Sequence, residues 1–276
     1  MTLILGMSKP EGIYVSVDYR VSNPQTGVIY NDSSSKCLRV DYPPLNEGFK
    51  ALLAFTGVAQ LGSTPTLTWI RETLRGEVEF PDQSMQHLRE RLNRDFARLR
   101  QPLIINILGV QGDRRFFGGL TNLRSPTRPV MTEFGYVMQE VSTSFLFTNG
   151  RGAIVAQADE KLIKMNTLLG VKPRSVMDHM KLLSIVNRRV AASDRSVSPF
   201  CHVSFISAVD EFSHTSHAFT QKGEEVPFEM PILLGGIDLT DMMRDFHDRT
   251  SAMREGGPPP PEKTPHEINE RLKRRP

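Results

Sequence analysis

The sequence predicts an α+β fold in which two β-sheets pack between layers of helices. Three observations lead to this prediction. The chain opens with segments whose apolar residues recur at every second position, amphipathic helical segments follow from about residue 65, and a further capped helix near residue 180 separates two later groups of strands. Groups of strands and groups of helices that follow one another in this order bury their apolar faces as sheets covered by helices.

The first two strands are predicted to form a hairpin. Leu3 to Ser8 is short and apolar, Lys9 to Gly12 has the composition of a turn, and Ile13 to Asp18 alternates apolar and polar residues. Successive side chains of a strand point to opposite faces, so Val17 and Asp18 point to different sides of the hairpin. The polar side therefore carries a carboxylate.

The same periodicities predict the remaining elements. Apolar runs at Cys37 to Val40 and Ala51 to Phe55 are expected to continue the first sheet. The remaining elements are predicted, in chain order, at Leu67 to Leu74 (helix, introduced by Ser63 and Pro65), Met85 to Leu99 (helix), Leu103 to Val110, Arg115 to Leu120 and Tyr136 to Phe147 (strands of a second sheet), Ile154 to Leu169 (a helix, although its Ala-Gln-Ala start is equally compatible with a strand), Val176 to Ala192 (helix capped by Ser175), and Phe200 to Ala208 and Ser216 to Thr220 (closing strands).

Composition excludes several classes of protein. Of the 276 residues 39% are hydrophobic and 24% charged, with a net charge of +3, so neither general disorder nor a nucleic-acid partner is indicated. The longest apolar runs are much shorter than the ~20 residues of a membrane-spanning helix. The start of the chain has no basic leader, which favours the cytoplasm. Cys37 and Cys201 lie outside any metal-binding spacing and are expected to be buried, reduced thiols.

The chain divides into two parts. Residues 1–240 carry the predicted sheets and helices, whereas residues 241–276 have a different composition. A Pro-rich linker begins after Gly256, and a basic tail ends at Pro276. The tail is either a solvated end or a docking segment for an unfoldase or regulator.

Thr2 is the residue with the most informative chemistry. Its small side chain directly follows Met1, so removal of Met1 is expected and would leave a free α-amine beside the threonine hydroxyl. A hydroxyl is a poor nucleophile unless a nearby group accepts its proton, and an α-amine with a pKa near ~7.7–8.0 suits that role at neutral pH. Nucleophile and base would then belong to one residue.

The residues that follow Thr2 have a familiar order. Asp18 lies within an Asp-x-Arg segment, Lys36 precedes an apolar strand, and Gly57 follows Phe55 and Thr56 at the end of the next strand. In this order the segments resemble the proteasome β-subunit and its bacterial relatives, the N-terminal-nucleophile hydrolases. The interval from Thr2 to Asp18 matches the family without a gap, and the loop before Lys36 is slightly longer.

Two later segments extend the resemblance. The turn Asn149 to Gly152 stands where the family usually has a Gly-Ser-Gly turn, so Arg151 takes the place of an accessory serine. The segment Ser193 to Ser198 resembles the Asp-x-x-Ser segment of the family with one residue inserted. The resemblance thus implies that Asp194 and Ser198 orient the amine of the nucleophile.

The resemblance also implies the other roles. Thr2 Oγ1 would attack a carbonyl carbon, and the Lys36 ammonium would lower the effective pKa of the hydroxyl and amine. Asp18 would hold Lys36 charged and in place. The backbone N–H of Gly57 would donate to the oxyanion.

The implied protein is a four-layer αββα sandwich with threonine-type peptidase activity and no metal or cofactor. Self-association into rings that enclose the sites is implied too, with a polypeptide as substrate. Two alternatives remain open: a non-catalytic ring scaffold, favoured by Arg151, and a hydrolase of small non-peptide amides. His214 and His217 do not indicate a metal site, because an interval of three places the two rings on opposite faces of a strand.

Overall fold

The structure is a computed structural model, and it describes residues 2–22, 28–31, 34–42, 48–77, 81–96, 101–123, 130–158, 175–210, 213–228 and 230–240. The predicted C-terminal extension lies outside the described residues. The strands are β1 (Leu3–Lys9), β2 (Gly12–Asp18), β3 (Val21–Ser22), β4 (Ile29–Asn31), β5 (Cys37–Asp41), β6 (Phe49–Gly57), β7 (Gln60–Leu61), β8 (Thr64–Pro65), β9 (Leu103–Gln111), β10 (Arg114–Thr121), β11 (Gly135–Glu140), β12 (Phe145–Gly150), β13 (Cys201–Ser207), β14 (His214–Phe219), β15 (Glu225–Pro227), β16 (Ile232–Leu234) and β17 (Ile237–Asp238). The helices are α1 (Thr66–Leu74), α2 (Pro81–Asp95), α3 (Gly152–Ala158) and α4 (Val176–Ser193).

The longer strands form two sheets. The first sheet has the strand order β12-β1-β2-β13-β14-β15, and the second has the order β11-β10-β9-β6-β5-β16-β17. Neighbouring strands in both sheets are antiparallel except for the parallel pair of β16 and β5. Strands β3 and β4, and strands β7 and β8, form two short ribbons.

Two predictions of strand pairing are wrong. Strands β5 and β6 belong to the second sheet, because β6 pairs with β9 and the free edge of β2 is taken by β13. The single predicted stretch from Tyr136 to Phe147 is two strands, β11 in the second sheet and β12 beside β1 in the first. Alternation of apolar residues reveals that a segment is a strand, but it does not reveal the partner, which for β1 and β2 includes a strand more than 100 residues away.

The helices follow the predicted periodicity, with differences at their starts. Helix α4 begins at the predicted cap, where the Ser175 side chain accepts the Asp178 N–H at 3.1 Å. Helix α1 begins without a side-chain cap, because Thr64 and Pro65 pair with β7 instead. Helix α3 ends at Ala158, and the rest of the predicted helix from Ile154 to Leu169 lies outside the described residues. None of the described helices combines the length and the apolar character that crossing a bilayer requires.

Three clusters of buried apolar side chains hold these elements together. One joins the second sheet to α1 and α2, and includes Trp69 and Leu88. Another joins the first sheet to α3 and α4, and includes Tyr14. The third contains Val15 and Val17 from β2 together with residues of β5, β6 and β9, so it joins the two sheets. The predicted alternation of β2 is therefore confirmed, with Tyr14 and its neighbour Val15 in different clusters.

The two cysteines lie in different clusters. Cys37 belongs to the cluster that joins the sheets and Cys201 to the cluster beneath α4. Both are free and buried, which confirms the predicted buried thiols. Burial raises the pKa of each thiol to about 12, so the reactive thiolate is disfavoured at neutral pH.

A buried ionic cluster ties the last described strand to the first helix. Asp238 Oδ2 lies 2.6 Å from Arg75 Nη2 and 3.1 Å from Arg71 Nε, and the Asp238 side chain is fully buried. Asp238 Oδ1 also accepts the Thr240 N–H at 3.1 Å. The guanidinium groups of Arg71 on α1 and of Arg75 directly after it thus share one carboxylate of β17.

We expect Asp238→Asn to lower the free energy of unfolding by about 3–5 kcal/mol, because it removes the buried negative charge that two largely buried guanidinium groups contact. Urea denaturation measures the loss. The exposed pair of Arg114 and Glu140 is the control, since both side chains are about half accessible to solvent. Glu140→Gln should change stability much less, and equal losses from the two variants would contradict the assignment.

Candidate active site

The carboxylate of Asp18 is the centre of the candidate site. It lies at the end of β2, is fully buried, and accepts hydrogen bonds at both oxygens. Oδ1 accepts the Leu3 N–H at 2.9 Å and the Lys36 ammonium at 3.3 Å. Oδ2 accepts the backbone N–H of Ser198 at 3.0 Å and that of Arg20 at 3.1 Å. Hydrogen bonds to a charged acceptor are roughly twice as strong as neutral ones, so this carboxylate joins four segments of the chain.

Lys36 is a buried cation that lies directly before β5. Only 3% of its side chain is accessible, and Nζ donates to Asp18 and to the backbone carbonyl of Arg20 at 2.5 Å. A buried ammonium is tolerated when it is paired and hydrogen-bonded. Because Asp18 belongs to the first sheet and Lys36 leads into the second, this ion pair connects the two sheets.

Thr2 lies at the same end of the two sheets. It immediately precedes β1, is 2% exposed, and its neighbour Leu3 donates to the same Asp18 oxygen that binds the Lys36 ammonium. Gly150 of β12 packs on Thr2, since a Cβ at Gly150 would lie 2.0 Å from the Thr2 carbonyl oxygen. Gly150 also has φ +88°, so both space and conformation require glycine there.

Gly57 is the last residue of β6, and the end of this strand lies near the contact between Gly150 and Thr2. A Cβ at Gly150 would also lie 3.2 Å from the hydroxyl of Thr56, the residue before Gly57. Phe55 N–H donates to the Lys36 carbonyl at 3.1 Å, and Val58 N–H donates to the Pro102 carbonyl at 3.2 Å on the opposite side. Because N–H directions alternate along a strand, the Gly57 N–H points to the side on which Lys36 lies.

Ser198 and Asp194 occupy different positions in the segment after α4. Ser198 is fully buried. Its backbone N–H donates to Asp18, and its backbone carbonyl accepts a hydrogen bond from the Asn187 side-chain amide at 2.8 Å. The half-buried Asp194 ends α4, and its carboxylate accepts the Ser196 N–H at 2.8 Å. Ser198 thus contacts Asp18 through its backbone N–H. The Asp194 carboxylate instead contacts the backbone of Ser196, two residues further along the same turn.

The contacts of Arg20 were not predicted from the sequence. Arg20 donates from Nη1 to the carbonyls of Arg195, at 2.6 Å, and Val197, at 3.1 Å, and so holds the segment that carries Ser198. The Asp-x-Arg spacing indicated a charged pair, but not that the guanidinium would bind distant carbonyls. Arg151, in the turn that follows β12, is exposed next to Gly150.

His202 is a buried imidazole near Lys36. It is fully buried, stacks on Phe228 with ring centroids 4.6 Å apart, and packs beside Tyr19. Neither of its ring nitrogens has a hydrogen-bond partner among the described residues. Burial, and to a lesser extent the Lys36 charge, lower the pKa of His202 to about 3, so the ring is neutral at neutral pH. Nothing in the strand pattern around Cys201 indicated a buried imidazole.

No metal centre is evident within the described part of the chain, where no cluster of three or more His, Cys, Asp or Glu side chains could hold an ion. The strand assignment of His214 and His217 is confirmed, and the interval of three residues places the two rings on opposite faces of β14.

Comparison with known proteins identifies the fold. No protein-family model matches the chain, and no curated protein matches it in sequence. Among solved structures, the Anbu (Gly-1) mutant from Hyphomicrobium sp. strain MC1 matches with a TM-score of 0.51 at 12% identity, over 93% of this chain and 96% of its own. Anbu from Yersinia bercovieri, described as an ancestral beta-subunit, matches with a TM-score of 0.48 at 14% identity, over 95% of this chain and 100% of its own.

The fold is proteasome-like. The expected similarity to proteasome β-subunits is confirmed at this level, since the Hyphomicrobium Anbu structure matches nearly the whole length of both chains. At such low identity the likeness concerns the path of the backbone. The roles of Thr2, Asp18, Lys36, Gly57, Asp194 and Ser198 stay predictions.

We expect Gly57→Ala to be strongly destabilising, because Gly57 has φ +111° and a Cβ there would lie 1.9 Å from the Pro102 carbonyl oxygen. Gly62→Ala is a matched control, since Gly62 has φ +57° with no atom within 4 Å of its Cβ position. The control should lose about 1–2 kcal/mol from backbone strain alone. Urea denaturation should show at least twice that loss for Gly57→Ala, and equal losses would contradict the described packing.

We expect His202 to contribute to acid destabilisation. Between an unfolded pKa of about 6.5 and the folded value of about 3, the unfolded chain binds a proton that the folded chain does not. The contribution of His202 is therefore fully present above pH 6.5 and is lost as the pH falls towards 3. In urea denaturation between pH 7 and pH 4, His202→Phe should reduce the slope of stability against pH by about one proton.

His87 provides the control for this experiment. Its side chain is 38% exposed on the outside of the molecule, so His87→Gln should leave most of the slope unchanged. A wild-type slope in His202→Phe would show that the buried imidazole does not cause the acid sensitivity.

Proposed function

We propose that this chain is a threonine-type amide hydrolase in which Thr2, after removal of Met1, is the nucleophile. The observation that carries the proposal is the convergence of the Leu3 N–H and the Lys36 ammonium on one oxygen of Asp18. Activation of Thr2 requires a positive charge near its α-amine. The buried ion pair of Lys36 and Asp18, next to the start of β1, would supply this charge. The substrate that we propose is a polypeptide.

The proposed reaction uses groups of this chain only. The α-amine of Thr2 accepts the hydroxyl proton while Oγ1 attacks the carbonyl carbon of the amide, and the negative oxygen of the tetrahedral intermediate accepts the Gly57 N–H. The amine then returns the proton to the departing nitrogen, which leaves an ester on Thr2. Water hydrolyses this ester and restores the hydroxyl.

The Lys36 ammonium has an electrostatic role in this proposal. A positive charge near the α-amine disfavours its protonated form, so more of the amine is free to act as a base at neutral pH. The Asp18 carboxylate keeps Lys36 charged in a buried position and limits its movement through the second contact with the Arg20 carbonyl. Ser198 and Asp194 are proposed to position the Thr2 amine.

The architecture that we propose is a four-layer αββα sandwich formed by residues 1–240, with residues 241–276 as an extension. The three apolar clusters support this order of layers, since each joins a different pair of neighbouring layers. We further propose that the subunits associate into rings in the cytoplasm. The rings would admit unfolded chains, and an unfoldase or regulator would dock on the extension.

Labelling with an electrophile that captures an N-terminal threonine tests the mechanism. Intact mass should show loss of Met1, and peptide mapping should place the adduct on Thr2 in the wild type, with no adduct in Thr2→Ala. Thr2→Ser keeps both the hydroxyl and the amine and should still be labelled. Equal labelling of the wild type and Thr2→Ala would exclude Thr2 as the nucleophile.

Removal of the Lys36 charge should reduce the rate of labelling at least ~10²-fold, because the Thr2 amine then loses the nearby charge that keeps it free to act as the general base. Lys36→Met alone leaves Asp18 buried without its counter-charge and is expected to destabilise the fold. The double variant Lys36→Met with Asp18→Asn removes both charges and separates the two effects. A folded double variant labelled at the wild-type rate would contradict the role of the ion pair.

A non-catalytic ring scaffold is the second candidate function. It is favoured by Arg151, whose exposed side chain replaces the accessory serine beside Thr2 and Gly150. This candidate predicts that Met1 is retained and that Thr2 is not labelled, while the mass in solution is still a multiple of 31.1 kDa. Light scattering together with intact mass measurement separates the two candidates.

A further inference from the structure

A second hydroxyl, imidazole and carboxylate lie in line on β14 and β15. Thr215 Oγ1 is 2.7 Å from His217 Nε2, and His217 Nδ1 is 2.7 Å from Glu225 Oε1. β14 and β15 form the edge of the first sheet, separated from β1 by β2 and β13. This group is therefore distinct from the site around Thr2.

The strand geometry explains how the three side chains meet. Thr215 and His217 are two residues apart on β14, so their side chains share one face. Glu225 is paired with Phe219, the next residue on that face, and reaches His217 diagonally across the two strands. The side chains of His217 and Glu225 are 23% and 35% exposed, which leaves the group open to a small molecule.

The contacts set the direction in which protons can move. A carboxylate on Nδ1 favours the tautomer with its proton on that nitrogen, so we assign the lone pair of the neutral ring to Nε2. Nε2 is then the acceptor for the Thr215 hydroxyl proton. A hydroxyl bonded to a base, which is itself oriented by an acid, is the arrangement that activates a nucleophile.

We propose that Thr215 is a second nucleophile, which accepts the acyl group of activated carboxylic esters. Oγ1 forms a bond to the ester carbonyl carbon while its proton passes to His217 Nε2. The bond from that carbon to the alcohol oxygen breaks, and the leaving oxygen takes the proton from Nε2. The products are an acyl ester on Thr215 and a free alcohol, and His217 and Glu225 return to their starting state.

Thr220 offers an internal comparison. Its hydroxyl contacts the Glu224 carboxylate at 3.3 Å, and it lies on the loop that joins the same two strands. Thr220 thus has a hydroxyl and a carboxylate but no contact with an imidazole in the described structure. If activation depends on the imidazole, Thr215 is acylated and Thr220 is not.

The test is incubation of the full chain with p-nitrophenyl acetate, followed by peptide mapping of the acetyl group by mass spectrometry. We expect acetylation of Thr215 in the wild type. Thr215→Val should abolish it, and His217→Gln should slow it at least ~10²-fold, since general base catalysis contributes about 10²–10⁴. In the Thr220→Val variant, Thr215 should be acetylated at the wild-type rate.

Glu225→Gln keeps the shape of the edge strand and tests the orienting acid if the other variants fold poorly. It should slow acetylation of Thr215 at least ~10-fold, because it removes the charge that stabilises a protonated imidazole. Two results would overturn the proposal. One is acetylation of lysines or of Thr220 while Thr215 stays unmodified, and the other is an unchanged rate of Thr215 acetylation in His217→Gln. The mapped peptide separates this reaction from any at Thr2, so each proposal fails independently of the other.

Discussion

The buried Asp18 carboxylate is the constraint on which the candidate site depends. Its four donors are the neighbouring Arg20 N–H and three groups from other segments, at the start of β1, at Lys36 and at Ser198. A buried carboxylate is costly unless it is fully hydrogen-bonded and paired with a cation. The fold meets this requirement only when both sheets and the segment after α4 reach the same point, so the stability of the site and the assembly of the fold are linked.

The two glycines beside Thr2 act through close packing of backbones. Gly150 lets β12 pass directly over the Thr2 carbonyl, and Gly57 lets the end of β6 lie against Pro102. Both have positive φ, which side chains other than glycine adopt at a cost. Larger residues at either position would separate the strands that surround Thr2, and so would displace the N–H that we propose as the oxyanion donor.

The two proposed nucleophiles differ in what would activate them. Thr2 lies next to a buried ion pair and would depend on its own amine as the base. Thr215 lies on a sheet edge, where an imidazole held by Glu225 is the base. The first arrangement requires distant parts of the chain to converge, whereas the second requires only the pairing of β14 with β15. The global fold would therefore supply the charge beside Thr2, whereas local strand geometry supplies the base beside Thr215.

The amino-acid sequence by itself determined the strand and helix periods, the cap of α4, the burial of both cysteines and the order of Thr2, Asp18, Lys36 and Gly57. These properties depend on side-chain type and on short spacings, which local physical chemistry governs. Only the tertiary structure decided that β6 pairs with β9 and so places β5 in the second sheet, that β12 pairs with β1, and that His202 is buried near Lys36. Strand partners and buried charges depend on contacts between residues far apart in the chain, and apolar alternation is the same whichever sheet a strand enters.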